Sequence, residues 1–277
     1  MSKRKVLITG ASSGIGKAVA VFLAQKGFYV VGTTRNLTTL PEDPGASKMF
    51  RFVIMDVTDK ASVRSGVEEA AGLMGGIDVL VNNAGISNVG PFEDIPEEEG
   101  RSVIETNFFG LASVTREVLP IMRNSGGGLI VNISSLGGIM GIPFQSYYAA
   151  SKFAVEGFSE SIRMELLSQG IDVVLVEPGN IKTGIGKNRM VLSGVSPSYQ
   201  KGYDAAKQVI EKGVDGAEPP EVVARLIYKI IRKKSPKVRY PSGNGSGMIC
   251  FLLKVLPQRV KEKLLLRYYR QNAIRNN

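Results

Sequence analysis

Two side chains near the middle of the chain have the spacing needed for proton transfer. Tyr148 and Lys152 stand four residues apart at the start of a helical pattern that extends from Tyr147 to about Ser168, so they lie on one face of that helix. A free tyrosine has a pKa near ~10, and an adjacent ammonium lowers that pKa because it favours the phenolate. The pair is therefore suited to move a proton to or from an alcohol oxygen at neutral pH.

A serine hydroxyl precedes this helix at the end of a predicted strand. The apolar run Gly128–Ile133 is typical of a buried parallel strand, and Ser134 and Ser135 follow it directly. Ligands bind at the carboxyl ends of strands in open α/β sheets. Ser135 is nearest in register to Tyr148, and its hydroxyl could hydrogen-bond the same substrate oxygen as charge develops there.

The Tyr-x-x-x-Lys spacing is a weak signal by itself, because the same spacing also occurs on ordinary helix surfaces. Tyr147 is a rival for Tyr148, but its partner four residues on is Ser151 rather than a cation. We therefore assign the proton-transfer role to Tyr148. The motifs elsewhere in the sequence strengthen this assignment.

A glycine turn near the start of the chain predicts a nucleotide site. Gly10, Gly14 and Gly16 stand between the apolar run Lys5–Thr9 and the helical pattern Lys17–Gln25. Glycines let the backbone approach a pyrophosphate, while the helix N-terminus offers N–H groups and the positive end of its dipole. The alternative is a tight strand-to-helix turn that binds no ligand.

The end of the second predicted strand bears on the choice of nicotinamide cofactor. In dinucleotide-binding folds an acidic residue about 20 residues beyond the glycines binds the ribose 2′-hydroxyl of NAD, whereas an arginine accommodates the 2′-phosphate of NADP. Here Phe28–Thr33 is followed by Thr34 and Arg35, with no carboxylate at the position. NADP(H) is therefore favoured over NAD(H), although Arg35 could also be a solvated residue that begins a loop.

The fold class follows from strands that alternate with helical patterns, which indicates an α/β, doubly wound parallel sheet with helices on both faces. The predicted strands are Lys5–Thr9, Phe28–Thr33, Phe50–Met55, Ile77–Val81, Gly128–Ile133 and Ile171–Glu177, with Lys237–Tyr240 as a possible seventh. The length of 277 residues and a hydrophobic content of 43% suit a single domain over residues 1–277.

These motifs together resemble the short-chain dehydrogenase/reductase family, from about residue 5 to residue 183. The resemblance rests on the glycine turn, on the Asn-Asn-Ala-Gly string at 82–85 and on the Tyr-x-x-x-Lys pair. It implies a Rossmann-type sheet, and it assigns catalysis to Asn107, Ser135, Tyr148 and Lys152, with Asn107 holding a water of the proton relay. It places the cofactor against Gly10, Ser12, Ser13, Gly14, Ile15, Gly16, Thr34, Arg35, Asp56, Val57, Asn83, Ala84, Gly85, Tyr148, Lys152, Pro178, Gly179, Ile181 and Thr183.

Composition excludes several other classes. The chain has no histidine, so a zinc site or a histidine-based triad is not expected, and Gly10 to Gly14 matches a hydrolase Gly-x-Ser-x-Gly motif only formally. A single cysteine, Cys250, excludes an internal disulfide. The first residues, Met-Ser-Lys-Arg-Lys, contain no apolar signal segment, so we expect a cytoplasmic location.

The predicted activity is NADP-dependent interconversion of a secondary alcohol and a ketone. The sequence Ser-x-Gly-Gly-x-x-Gly-x-Pro-Phe before Tyr148 resembles the 17-beta hydroxysteroid and retinol dehydrogenase branch, so a steroid-, retinoid- or lipid-like substrate is expected. Acyl dihydroxyacetone phosphate and a small ketone stay open as alternatives. Residues 184–216 are predicted to cover the substrate, and Met190, Val191, Leu192 and Tyr199 could line an apolar pocket or belong to the core. The alternative function is a cofactor sensor or partner-binding protein without turnover.

The C-terminal tail, residues 248–277, is both basic and apolar. Residues 218–277 carry 14 basic and 3 acidic side chains, whereas residues 1–217 carry 21 and 22. The apolar runs are too short to span a bilayer, so the tail is either a helix at an anionic membrane surface or a lid over the site.

Nucleic acid is not an expected partner, because no recognised module is present. The family resemblance implies a homodimer or homotetramer formed through the two long predicted helices, about Pro96 to Met122 and Tyr147 to Ser168.

Overall fold

The structure is a computed structural model that describes residues 4–37, 49–182, 189–192 and 194–274. Within these residues, seven parallel strands form one sheet in the order β3-β2-β1-β4-β6-β7-β9, and two short strands, β5 and β8, pair separately. The strands are β1 (Lys5–Ile8), β2 (Tyr29–Thr34), β3 (Phe50–Ile54), β4 (Val79–Asn82), β5 (Ser87–Val89), β6 (Gly128–Ile133), β7 (Ile171–Pro178), β8 (Arg189–Val191) and β9 (Arg239–Ser242).

Helices cover both faces of the sheet. They are α1 (Gly14–Gln25), α2 (Lys60–Met74), α3 (Glu97–Ile104), α4 (Leu111–Asn124), α5 (Ser146–Leu166), α6 (Gln200–Asp215), α7 (Glu221–Ile231), α8 (Ser246–Val255) and α9 (Gln258–Ile274). One core cluster joins α1 and α7 to the sheet, and another joins α2 and α4 to the opposite face. Side chains alternate between the faces, so Val6 and Ile8 enter the first cluster and Leu7 enters the second. The doubly wound fold predicted from the sequence is confirmed.

The strand order reverses between β1 and β4, which is where a doubly wound sheet opens a crevice at its carboxyl edge. The chain runs outward from β1 through β2 to β3 and then returns to place β4 on the other side of β1. The glycine turn after β1 and the Asn-Asn-Ala-Gly string after β4 therefore meet at this crevice.

The seventh strand exists, but it lies two residues later than predicted. The predicted strand Lys237–Tyr240 ends before Pro241, whereas Pro241 lies within β9 opposite Glu177. A proline is tolerated there because β9 is the edge strand of the sheet and has a neighbour on one side only.

A buried polar layer fixes α5 to the centre of the sheet. Asn82 Nδ2 on β4 donates to Thr115 Oγ1 on α4 at 3.0 Å and to Asn132 Oδ1 on β6 at 2.9 Å. Asn132 Nδ2 in turn donates to Ser159 Oγ on α5 at 2.8 Å. Because an unpaired buried amide costs roughly 1–3 kcal/mol, these bonds select one position of α5 relative to the strands.

One predicted helix is interrupted. The sequence pattern predicted a single helix from Pro96 to about Met122, but a π-helical turn over Glu105–Gly110 separates α3 from α4. Gly110 ends this turn against Val57, and a Cβ at Gly110 would lie 2.7 Å from Val57 Cγ2. Such turns are frequent at functional sites, and this one contains Asn107.

No helix in the described part of the chain is both long and apolar enough to cross a membrane.

Candidate active site

The glycine turn has the close backbone approach that a dinucleotide site requires. Gly10 and Gly14 have φ values of 64° and 55°, which favour glycine. A Cβ at Gly16 would lie 2.3 Å from Gly10 O and 2.5 Å from Asn83 Nδ2. The N-cap Ser13 makes no side-chain capping bond, and the first turn of α1 has no acidic residue. The amino end of α1 therefore suits a pyrophosphate.

The residues after β4 hold the glycine turn in place. Asn83 Nδ2 donates to Thr9 O at 2.9 Å and to Gly10 O at 3.0 Å. Thr9 Oγ1 accepts from the backbone N–H groups of Asn83 at 2.9 Å and Ala84 at 3.0 Å. Gly85 is close to Asn107, since a Cβ there would lie 3.1 Å from Asn107 Oδ1. The sequence analysis expected Asn83, Ala84 and Gly85 to bind cofactor; the structure also gives Asn83 and Thr9 a supporting role, and the role of Thr9 was missed.

The ends of β2 and β3 carry the residues predicted to select the cofactor. Thr34 is buried and donates through Oγ1 to Asn36 O at 3.0 Å, whereas Arg35 is exposed. Asp56 Oδ1 accepts from Thr58 N at 2.9 Å and Thr58 Oγ1 at 2.7 Å. Burial raises the pKa of Asp56, but the bonds from Thr58 and the charge of Arg35 outweigh it and lower that pKa.

Ser135, Tyr148 and Lys152 come together at the carboxyl end of β6. Lys152 is 6% exposed, and its Nζ donates to Ile133 O at 2.9 Å and lies 5.9 Å from the centre of the Tyr148 ring. Tyr148 and Ser135 both lie close to Gly137, since a Cβ at Gly137 would be 3.3 Å from Tyr148 Cε1 and 3.6 Å from Ser135 Oγ. A phenol, a buried ammonium and a hydroxyl therefore share one side of the crevice.

Tyr147 lies on a different side of α5. Its ring packs against Gly100, where a Cβ would lie 2.4 Å from Tyr147 Cζ, and its centre is 5.7 Å from the ring of Phe92. This packing accounts for Tyr147 without a catalytic role and supports the choice of Tyr148.

Asn107 makes three side-chain hydrogen bonds to protein groups. Its Nδ2 donates to Ile86 O and to Ser151 Oγ, both at 2.9 Å, and its Oδ1 accepts from Ile86 N at 2.8 Å. Ser151 Oγ donates to Tyr148 O at 2.7 Å. Asn107 thus joins the segment after β4 to the first turn of α5, which is a structural contribution additional to the water-holding role that the family resemblance implies.

A buried charged cluster lies behind Lys152, and the sequence analysis did not find it. Arg239 on β9 lies 2.9 Å from Glu156 Oε2, 2.7 Å from Glu160 Oε1 and 3.1 Å from Glu177 Oε1. Glu156 and Glu177 are 5% and 1% exposed. The one available signal was the four-residue spacing of Lys152 and Glu156, since Arg239 is brought in only by the sheet.

The cluster acts on the charge of Lys152. Burial lowers the pKa of Lys152 to about 8, and the nearby Glu156 opposes that decrease. Burial raises the pKa of Glu156, and the nearby Ser134 hydroxyl and the charge of Arg239 oppose that increase. Because Arg239 helps Glu156 to stay ionised, it also supports the protonated form of Lys152 at neutral pH.

The turn after β7 forms the remaining wall of the crevice. Pro178 ends β7, and Gly179 N donates to Ser242 O at 2.9 Å. Ile181 forms a parallel bridge with Glu218, which attaches the turn to the start of α7. The predicted cofactor residue Thr183 lies outside the described residues.

Comparison with known proteins agrees with the fold. Residues 4–190 match the family described as short chain dehydrogenase. The chain belongs to the short-chain dehydrogenase/reductase family.

Relatives are similar over nearly the whole chain. A 3-ketodihydrosphingosine reductase from Bacteroides thetaiotaomicron is 41% identical over 245 residues, covering 88% of this chain and 89% of the relative. An NADPH-dependent 3-dehydrocapnine reductase from Ornithobacterium rhinotracheale is 35% identical and covers 94% and 95%. The crystal structure of a short-chain dehydrogenase from Streptomyces avermitilis has a TM-score of 0.83 at 33% identity and covers 95% and 96%.

The charged cluster gives a prediction about stability. Arg239→Met is expected to lower the free energy of unfolding by about 3 kcal/mol near neutral pH, because it leaves two buried carboxylates without their cation. The variant raises the pKa of Glu156 further in the folded state, so acid protonates that carboxylate while it is still buried and the deficit shrinks as the pH falls. Urea unfolding at about pH 7.5 and about pH 5.5 measures both effects.

Arg101→Met is the matched control. It removes an ion pair with Glu97 that is exposed on both sides, so a change within about 0.5 kcal/mol is expected. An Arg239→Met deficit as small as that of the control, or one that grows on acidification, would contradict the electrostatic role of the cluster.

Proposed function

We propose that the protein is an NADP(H)-dependent enzyme that interconverts a ketone and a secondary alcohol on a long-chain lipid. The observation that carries the proposal is the convergence of Ser135, Tyr148 and the buried Lys152 at the end of β6, beside the glycine turn of β1. The family assignment supplies the reaction class, an oxidoreductase that acts on alcohols and carbonyls.

The proposed chemistry divides between cofactor and protein. A bound NADP(H) supplies or accepts the hydride at the substrate carbon. Tyr148 donates or accepts the proton at the substrate oxygen, and the ammonium of Lys152 favours its phenolate. The Ser135 hydroxyl donates a hydrogen bond to the same oxygen as negative charge develops on it. Asn107 positions α5 through Ser151 and holds a relay water in this proposal.

Arg35 supports the preference for NADP(H). It is an exposed cation directly after β2, and its charge contributes to lowering the pKa of Asp56, which follows the neighbouring strand β3. A planar guanidinium binds a phosphate through two hydrogen bonds, whereas the ribose hydroxyl of NAD calls for an acceptor at this position. The name of the Ornithobacterium relative, an NADPH-dependent reductase, points the same way.

Two relatives guide the proposal about substrate. Their names describe reductases of a 3-keto and a 3-dehydro compound, so a ketone near one end of an apolar chain is the substrate class we favour. The earlier resemblance to the hydroxysteroid and retinol branch stays a hypothesis. Initial rates of NADPH oxidation with 3-ketodihydrosphingosine, a steroid ketone, retinal and a small ketone would distinguish them, and turnover of none of the four would favour the cofactor-sensor alternative.

The described part of the segment proposed to cover the substrate, residues 189–192 and 194–216, is anchored near the start of α5. Residues 184–188 and 193 lie outside the described residues. Tyr203 on α6 donates through its hydroxyl to Leu192 O at 2.9 Å, and its ring centre is 6.0 Å from that of Phe144. Phe144 lies four residues before Tyr148, so α6 stands beside the loop that leads into the catalytic helix. This contact supports a covering role for residues 184–216.

Tyr148→Phe is expected to lower turnover by two or more decades while the cofactor still binds, because the missing hydroxyl moves a proton and contributes little affinity. Steady-state rates and NADPH fluorescence titration measure the two quantities. Tyr147→Phe is the matched control and should retain activity, since that ring packs against Gly100. Activity retained by the Tyr148 variant would exclude the proposed role.

Arg35→Asp is expected to shift preference from NADP(H) toward NAD(H) by at least about tenfold in kcat/KM, because it removes a phosphate partner and adds a repelling charge. Arg64→Asp makes the same charge change at an exposed site on α2 and controls for net charge. Equal use of both cofactors by the wild type would show that Arg35 does not select between them.

We also propose a homodimer or homotetramer formed through α4 and α5. Phe109 beside α4 and Phe153 on α5 are 52% and 47% exposed in the single chain, which supports an apolar contact at this face. Light scattering is expected to show a multimer, and Phe109→Glu should reduce its mass. A monomeric wild type would contradict the proposal.

A further inference from the structure

Helix α8 is apolar on two faces, and one of them points away from the protein. Cys250 and Leu253 are buried, and Cys250 Sγ lies 3.7 Å from Glu177 Oε2 beneath the helix. Met248 and Phe251 are 71% and 64% exposed. Successive residues of an α-helix are about 100° apart around its axis, so the five exposed apolar residues of α8 fall within one arc of about 160°. These outward residues are Met248, Ile249, Phe251, Leu252 and Val255.

Helix α9 has three adjacent stripes with four-residue spacing. The first stripe is partly buried, and since α9 packs against α6 it is the stripe that faces the protein. The second is apolar and exposed, and the third is basic and exposed. The stripes are, in order around the helix, Lys261, Leu265 and Tyr269, then Val260, Leu264 and Tyr268, then Arg259, Lys263 and Arg267.

We propose that α8 and α9 form a docking surface for an anionic lipid bilayer. An exposed apolar stripe beside a basic stripe is the arrangement of helices that lie in a membrane interface, with apolar side chains among the acyl chains and cations at the headgroups. Within the described part of the chain, none of the ion pairs involves Arg259, Lys263 or Arg267, so these charges are available to lipid phosphates. The inference goes beyond the proposed activity and does not depend on it.

A bilayer fits this surface better than a second copy of the chain does. The basic stripes of two copies would repel each other at a twofold contact, whereas anionic headgroups complement them. The apolar face around Phe109 and Phe153, on other helices, is the one assigned to self-association. The docking surface is also close to the candidate site, because α9 packs on α6 and Gly202 of α6 lies against the Phe144 ring.

Sedimentation of the full-length protein with vesicles tests the surface. Phosphatidylcholine vesicles with and without phosphatidylglycerol, at low and high salt, are the probes. The wild type should bind the anionic vesicles and bind less at high salt. Since each basic residue near the surface strengthens binding about fivefold, the triple variant Arg259→Glu, Lys263→Glu, Arg267→Glu should bind on the order of 100-fold more weakly. Met248→Ser with Phe251→Ser should lose on the order of tenfold.

A matched control is available on α7. Arg225 and Lys229 of α7 and Lys233 just beyond its end have the same four-residue spacing and are exposed, but no large exposed apolar residue of α7 accompanies them. Their triple change to Glu alters net charge equally and should leave vesicle binding within about threefold of the wild type. Circular dichroism and turnover of a water-soluble ketone, expected to be unchanged, verify that each variant is folded.

Three outcomes would overturn the proposal. The first is no binding of the wild type to anionic vesicles at low salt. The second is an equal loss of binding in the α7 and α9 triple variants, which would indicate attraction by net charge alone. The third is loss of the multimer in Met248→Ser with Phe251→Ser, measured by light scattering, which would identify the surface as a contact between copies.

Discussion

The candidate site depends on keeping one ammonium charged inside the protein. Lys152 is buried at the end of β6, where water no longer solvates its charge, and burial lowers its pKa to about 8. Two features oppose that loss of charge. One is the bond to Ile133 O, and the other is the carboxylate of Glu156 one helical turn away. Without them, the pKa of Lys152 would be lower still, and the lysine would carry less of its charge near neutral pH.

The same requirement extends to the edge of the sheet. Glu156 is itself buried, so its charge needs a cation, and Arg239 supplies it from a strand 83 residues further along the chain. Arg239 also contacts Glu177 on β7, so β9 contributes charge balance as well as a seventh strand. The electrostatics of the crevice therefore depend on Arg239, which lies beyond residues 4–190 that match the family.

Much of the fold was predictable because the central strands are buried on both faces. Runs such as Gly128–Ile133 have no polar alternation, and their lengths and flanking turns identify them as parallel strands. β9 was misplaced because Pro241 argues against a strand everywhere except at an edge. The three-residue strands β5 and β8 are too short to give a periodic signal. The π-helical turn at Asn107 adds one residue to one turn of the helix, and the apolar pattern before and after it stays on one side, so the sequence resembles a single continuous helix.

The candidate catalytic side chains were predictable from local spacing, but their supports were not. Tyr148 and Lys152 share a helix, so a four-residue interval places them together before any fold is known. Thr9 with Asn83, Asn107 with Ser151, and Glu156 with Arg239 are pairs from different elements, and only the parallel sheet brings them within hydrogen-bonding distance. No local pattern encodes such a pair.

The tail is connected to the start of α5 through α6 and Phe144, a residue with a strained backbone conformation. Phe144 has a φ of 62°, a conformation that costs a non-glycine residue about 1–2 kcal/mol, and it persists because neighbouring contacts hold it. Gly90 N donates to Phe144 O at 2.9 Å, and Tyr203 and Gly202 of α6 pack on its ring. Since α6 also supports α9, the contacts form a continuous path from the docking surface to the loop before Tyr148. The residues that are proposed to contact a lipid surface thus pack on α6, the helix that contacts the loop before α5.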